Sequence, residues 1–138
     1  VAEDDPESLS DAFWSVARRL RHRSRDNLAQ WDISPSHSRA LAVLTRHGAM
    51  RLRDLSEHLH IAARSTTEVV DALEARGLLR RQADPRDRRA TVVVLTEQGA
   101  RVGAAIRSAR DTEAAGFFGA LDAADRTDLA RILGKLHD

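Results

Sequence analysis

Arg64, Ser65, Thr67 and Glu68 bring a forked cation, two small hydroxyls and a carboxylate close together in the chain. A guanidinium can span two acceptors on a guanine edge or grip a phosphate, hydroxyls can bond base edges or phosphates, and a carboxylate can accept from cytosine. Further along, Arg86, Arg88 and Arg89 crowd beside Asp84, Pro85 and Asp87. Like charges that close repel one another unless anions lie near. On a narrow projection they suit a DNA backbone, and an arginine there can enter a minor groove while an aspartate two residues earlier holds its guanidinium in place. Plainer readings stand beside these: serine and threonine also simply begin helices, and a charged tip is also simply a solvated turn.

Other chemistry finds little support. The six histidines are scattered, and His58 and His60 have no carboxylate or cysteine partner at a ligand-like spacing. There is no glycine-rich phosphate loop, and no serine sits in a nucleophile-elbow pattern. With no cysteine, disulfides, thiolate metal sites and thiol redox switches are all excluded. The expectation is therefore a protein without catalysis, cofactor or metal.

The elements that must position these residues follow from apolar spacing. The 138 residues suffice for one domain with one core, and 42% hydrophobic with 31% charged residues is an ordinary globular balance. No stretch approaches the roughly 18 uninterrupted apolar residues of a membrane span, and Val1 to Pro6 is acidic, unlike a secretory signal, so a cytoplasmic protein with no membrane partner is expected. A net charge of +1 means that any nucleic-acid binding must come from local distribution.

Asp5 and Pro6 look like the cap and first turn of a helix running into the twenties, with Leu9, Phe13, Val16, Ala17 and Leu20 at helical spacing. Ser34 and Pro35 repeat that signal for a second helix that stops at Gly48. Leu52, Leu55 and Leu59 mark a helix of barely two turns that breaks near His60 and Ile61. In the next helix Thr66, Val69, Val70 and Leu73 fall inward and Arg64, Ser65, Thr67 and Glu68 outward, with a stop at Arg76 and Gly77. Leu78–Gln82 and Ala90–Leu95 read as a hairpin with a charged tip. Thr96 and Asp122 can cap two further helices, the last carrying Leu129, Ile132, Leu133 and Leu136.

A short helix, a tight turn and a second helix with small exposed residues fit a major groove, and a hairpin placed just after them becomes a wing. The run Leu73, Glu74, Ala75, Arg76, Gly77, Leu78, Leu79, Arg80, Arg81, then Asp84, Pro85, Arg86, Asp87, Arg88, Arg89, Ala90, and finally Leu95, Thr96, Glu97, Gly99, resembles the multiple antibiotic resistance regulator (MarR) family. The order and spacing of these pieces carry the resemblance, which extends over nearly the whole chain. It implies a mainly α fold with a small β-hairpin: a winged helix-turn-helix at about 35–97 within a single domain of 1–138, and dimerisation helices at about 6–30 and 98–138.

The resemblance further implies a triangular homodimer that binds a pseudo-palindromic, double-stranded operator as a transcriptional repressor. Arg64, Ser65, Thr67 and Glu68 would read bases, with Arg88 or Arg89 in the minor groove beside Arg86 and Asp87 bracing the wing. Ser36, His37 and Arg39, at the start of the second helix, are candidates for phosphate contact, beside a plain capping role for them. Small aromatic acids or phenols are the effectors it suggests, and Trp14, Arg18, Trp31, His37 and Arg39 are the nearest thing here to an aromatic and cationic pocket. The competing class is a winged-helix protein-interaction module without DNA binding, against which the intact charge at Arg64, Arg88 and Arg89 argues. Two positions depart from the family pattern: Ala62 stands where a serine cap is common, and His60 where glycine is common in the turn.

Overall fold

The structure, a computed structural model, describes residues 6–137. Its elements are α1 (Pro6–Ala29), α2 (Pro35–His47), β1 (Met50–Arg51), α3 (Leu52–Leu59), α4 (Ala63–Ala75), β2 (Leu79–Ala83), β3 (Thr91–Leu95), α5 (Glu97–Phe118) and α6 (Ala123–Leu136). The fold is thus mainly helical with a small antiparallel sheet. Two compact units are present, one of residues up to Ser24 and from Ala109 onward, the other of Arg25–Ser108. The cap expected at Asp5 lies outside the described residues.

In the unit of Arg25–Ser108, the ends of the helices follow local chemistry. Ser34, in an extended conformation, accepts the His37 N–H at 3.3 Å and satisfies one of the first-turn donors of α2, while Pro35 needs no partner for the N–H it lacks. Gly48 ends α2 at φ 80° and Gly77 follows α4 at φ 75°, both conformations that a β-carbon disfavours. Thr96 accepts the Gly99 N–H at 3.0 Å and so caps α5.

One apolar core holds the unit together. Leu41 and Leu44 of α2, Leu55 and Leu59 of α3, Val70 and Leu73 of α4, and Leu79 and Val93 of the sheet are buried in a single cluster. Each contributes about 1.5–3 kcal/mol by leaving water. Inside that cluster the hydroxyl of Thr66 is not left unpaired: it donates to Ala62 O at 3.1 Å and accepts from Ser56 Oγ at 2.8 Å, joining α3 to α4.

The sheet differs from the expected hairpin by one strand. Its order is β1-β3-β2, with Met50 opposite Val93 on one side and Arg81 opposite Val93 on the other. Two residues are too few to show an alternation, which is why β1 leaves no trace in the apolar pattern. Leu78 also falls outside β2, because its N–H closes on Leu73 O at 3.0 Å to finish the end of α4.

Both departures noted at the helix turn have structural counterparts. His60 sits at φ 55°, ψ 41°, in the left-handed region, and Ala62 precedes α4 with no side-chain cap. Ala62→Ser is accordingly expected to raise the unfolding free energy by about 1 kcal/mol, since the missing acceptor would be restored. A urea titration checks it, and an unchanged midpoint would show that the first-turn donors of α4 lack nothing.

The other unit is helical. Within it the Arg23 Nε–Glu113 Oε1 ion pair at 2.6 Å and the guanidinium groups of Arg19 and Arg23, 6.0 and 5.7 Å from the Phe117 ring centre, tie α1 to α5. Asp122 caps α6 by accepting the Asp125 N–H at 2.8 Å. The apolar stripes of these helices are wet: Leu9, Phe13, Trp14 and Val16 of α1 and Ile132, Leu133 and Leu136 of α6 are all exposed.

Candidate nucleic-acid interface

Helix α4 divides its side chains cleanly. Thr66, Val69, Val70 and Leu73 are buried, and Arg64, Ser65, Thr67 and Glu68 are exposed on the opposite face. Arg64 and Glu68 have no ion-pair partner among the described residues. The Thr67 hydroxyl donates to Ala63 O at 3.0 Å, which leaves its oxygen to act as an acceptor. An open groove beside this first turn is lined by Arg53, Glu57 and His60 together with Thr67.

Residues 84–90 join β2 to β3 as a turn closed by three backbone bonds: Asp84 N–H to Ala90 O at 2.9 Å, Asp87 N–H to Asp84 O at 3.2 Å and Ala90 N–H to Asp87 O at 2.9 Å. The two aspartates fix its shape. Asp84 accepts the Arg86 N–H at 2.9 Å and the Arg51 guanidinium at 3.0 and 3.2 Å, and these contacts, the Arg86 N–H foremost, hold its carboxyl below the usual range. Asp87 accepts both the N–H of Arg89 at 3.1 Å and its Nε at 3.3 Å. Through Nε alone, this contact steers Arg89 while leaving its terminal nitrogens free, and the side chain is 94% exposed. Arg88 is exposed with no ion-pair partner among the described residues.

The candidates at the start of α2 are differently placed. Ser36 is exposed and its hydroxyl lies 3.2 Å from that of Ser34. Arg39 donates to Leu59 O at 2.7 Å, so its guanidinium clips the last carbonyl of α3. His37 is half-buried, and that burial, helped by the charge of Arg76, lowers its pKa. Of the expected aromatic and cationic pocket, Trp14 and Arg18 are exposed in one unit, Trp14 edge-on to Phe13 at 5.7 Å. Trp31, His37 and Arg39 belong to the other, where Trp31 packs partly buried against the core.

Four functional contacts escape a reading of the sequence. Arg51 braces the wing through Asp84, and Arg81 bonds both Asp71 at 2.6 Å and Glu74 at 2.7 Å. Arg39 clips α3 as described, and Arg76 clamps Trp31 O and Asp32 O at 2.9 and 2.7 Å. Those of Arg51, Arg39 and Arg76 join residues twenty or more apart in the chain, so only Glu74 and Arg81, within the resembling run, offered a local signal.

A short helix, a turn and a second helix with its polar face outward, followed by a two-stranded projection with arginines at its tip, together make a winged helix-turn-helix. The MarR family model matches residues 33–91. The HTH-type transcriptional regulator ML2140 of Mycobacterium leprae is 33% identical over 102 residues, covering 74% of this chain and 68% of that protein. The Bacillus subtilis regulator YsmB is 30% identical over 87 residues, covering 63% and 60%. Among solved structures, RV1404 from Mycobacterium tuberculosis superposes with a TM-score of 0.86 at 29% identity, covering 99% of this chain and 94% of that one. The chain belongs to the MarR family of transcriptional regulators. It spans about half to three-fifths of the first Bacillus relatives it matches, 60% of YsmB and 49% of YfiV. Those relatives are regulators and not enzymes, and no described helix is long and apolar enough to cross a membrane.

Proposed function

We propose that the chain is a sequence-specific DNA-binding transcriptional repressor that acts as a homodimer on a pseudo-palindromic operator. The observation that carries the proposal is the pairing, in one compact unit, of an exposed polar face on α4 with a wing tip whose Arg88 and Arg89 have free guanidinium nitrogens. Arg64, Ser65, Thr67 and Glu68 read base edges in the major groove, and Arg88 and Arg89, with Arg86 beside them and Asp87 as brace, enter the flanking minor groove. Ser36 supplies a hydroxyl for phosphate, while His37 and Arg39 shape the start of α2.

Two wet apolar stripes support the dimer. Large side chains such as Phe13 at 52% and Leu136 at 77% exposure form the kind of surface that a soluble chain normally covers, and a second copy offers the same stripes in return. Two-fold pairing then dictates two half-sites about one helical turn apart. Repression agrees with the name of MdtR, an HTH-type transcriptional repressor of Bacillus subtilis 22% identical over 85 residues. A small aromatic acid or phenol modulates binding in this reading, as 6-hydroxynicotinic acid regulates DNA binding by BpsR of Bordetella bronchiseptica, a structural neighbour with a TM-score of 0.73. Within the unit of Arg25–Ser108, Trp31, His37 and Arg39 are the residues assigned to such a ligand.

A gel-shift titration with duplex from upstream of the chain's own coding sequence, paired with sedimentation analysis, tests this directly. A dimer that shifts that duplex in preference to unrelated DNA is the expected result. A stable monomer, or a folded dimer giving no shift at moderate salt, would overturn the reading and favour a protein-interaction module.

A further inference from the structure

Arg81 stands apart from the arginines of the wing tip. It lies on β2, one of the two outer strands of the sheet, and its side chain is 26% exposed against 94% for Arg89. Both ends of its fork are occupied: one terminal nitrogen bonds Glu74 Oε1 at 2.7 Å and the other Asp71 Oδ1 at 2.6 Å. Its own N–H, at the edge that β3 does not use, is donated to Glu74 Oε2 at 3.0 Å. An outer strand presents a row of unpaired backbone groups, and here a carboxylate of α4 covers one of them. Asp71 and Glu74, three residues apart, lie on one face of that helix, so a single planar fork reaches both.

We propose that Arg81 is a positioning residue for DNA binding, stitching the wing to the recognition helix so that the two keep a fixed spacing on the duplex. This rests on the wing reading above. The argument is geometric. A hairpin whose inner strand pairs only with the two residues of β1 is held to the rest of the unit at few points, and a swinging tip meets the minor groove in few of its orientations. Three bonds from one residue to α4 remove that freedom on the near side, while Arg51 and Asp84 hold the strand where it enters the tip. Lysine keeps the charge but is a single point donor on a flexible stem, so it cannot satisfy both carboxylates in this geometry.

The experiment is a double-variant cycle read by fluorescence anisotropy on the duplex of the gel-shift test. In the parent protein, Arg81→Lys is expected to weaken binding about tenfold and Asp71→Asn about threefold. In a background carrying Arg88→Ala and Arg89→Ala, where the wing has nothing left to place, the same changes should cost less than about twofold. Hydroxyl-radical footprints should show protection lost at the flanks and kept at the centre. Thermal unfolding of each variant establishes that it is folded, and Asp71→Asn, which spares the Glu74 bonds, carries the test if Arg81→Lys does not fold. Equal losses in both backgrounds, or no loss in either, would overturn the positioning role alone. A parent and an Arg88/Arg89 variant that bind alike would sink the wing reading with it.

Discussion

Replacing Gly99 with alanine is expected to lower the unfolding free energy by about 3 kcal/mol, although alanine is the better helix former. A β-carbon at Gly99 would stand 1.9 Å from Leu78 O and 2.9 Å from Leu78 C, both backbone atoms. Neither can rotate aside. Leu78 O also accepts the Thr96 N–H at 3.1 Å, and the Thr96 hydroxyl donates to Gly77 O at 2.6 Å, so the same few atoms fix how α5 leaves the sheet. Making room would break that junction between α4, β2 and α5. The comparison is Gly116 in the same helix, where a β-carbon meets nothing within 4 Å. There the change to alanine is expected to raise stability by up to about 1 kcal/mol. Urea unfolding of the two variants separates the effects, and a Gly99→Ala protein as stable as the parent would show that the junction yields to a β-carbon without cost.

Removing the charge of Arg88 and Arg89 together is expected to weaken operator binding about a hundredfold at moderate salt while leaving the fold intact. Arg89 is almost fully exposed and Arg88 has no ion-pair partner among the described residues, so little internal bonding is lost. On a dimer the change strips four cations from the duplex contact. The slope of log affinity against log salt should therefore flatten by roughly 0.9 for each phosphate contact removed. Arg81→Lys should flatten that slope less, because its own guanidinium is spent on Asp71 and Glu74 and only the placement of the wing cations changes. Anisotropy titrations over a range of potassium chloride concentrations decide the matter. Full affinity with an unchanged slope would remove the wing from the interface.

Much of the fold was written locally. Ser34, Thr96 and Asp122 each cap the helix that their position announces, Gly77 takes the positive φ its place requires, and the two faces of α4 follow from the spacing of Thr66, Val69, Val70 and Leu73. These features depend on neighbours within a turn or two, which a sequence displays. What stayed hidden was long-range. Met50 and Arg51 become a strand only because β3 passes beside them, and Arg39, a phosphate candidate by position, turns to the carbonyl of Leu59 twenty residues away. The candidate site divides in the same manner: the exposure of Arg64 and Ser65 was legible, whereas the braces supplied by Arg51 and Arg81 arise only when the sheet and α4 come together.

The uncovered side chains of α1 and α6 have a thermodynamic corollary. Helices whose greasy faces are quenched only by another copy do not fold first and pair afterwards; ordering and pairing become one equilibrium, governed by mass action. On the proposed pairing, the melting point of this regulator is set by how many copies a cell holds as well as by its residues, so scarcity alone would dissolve the reader of its operator.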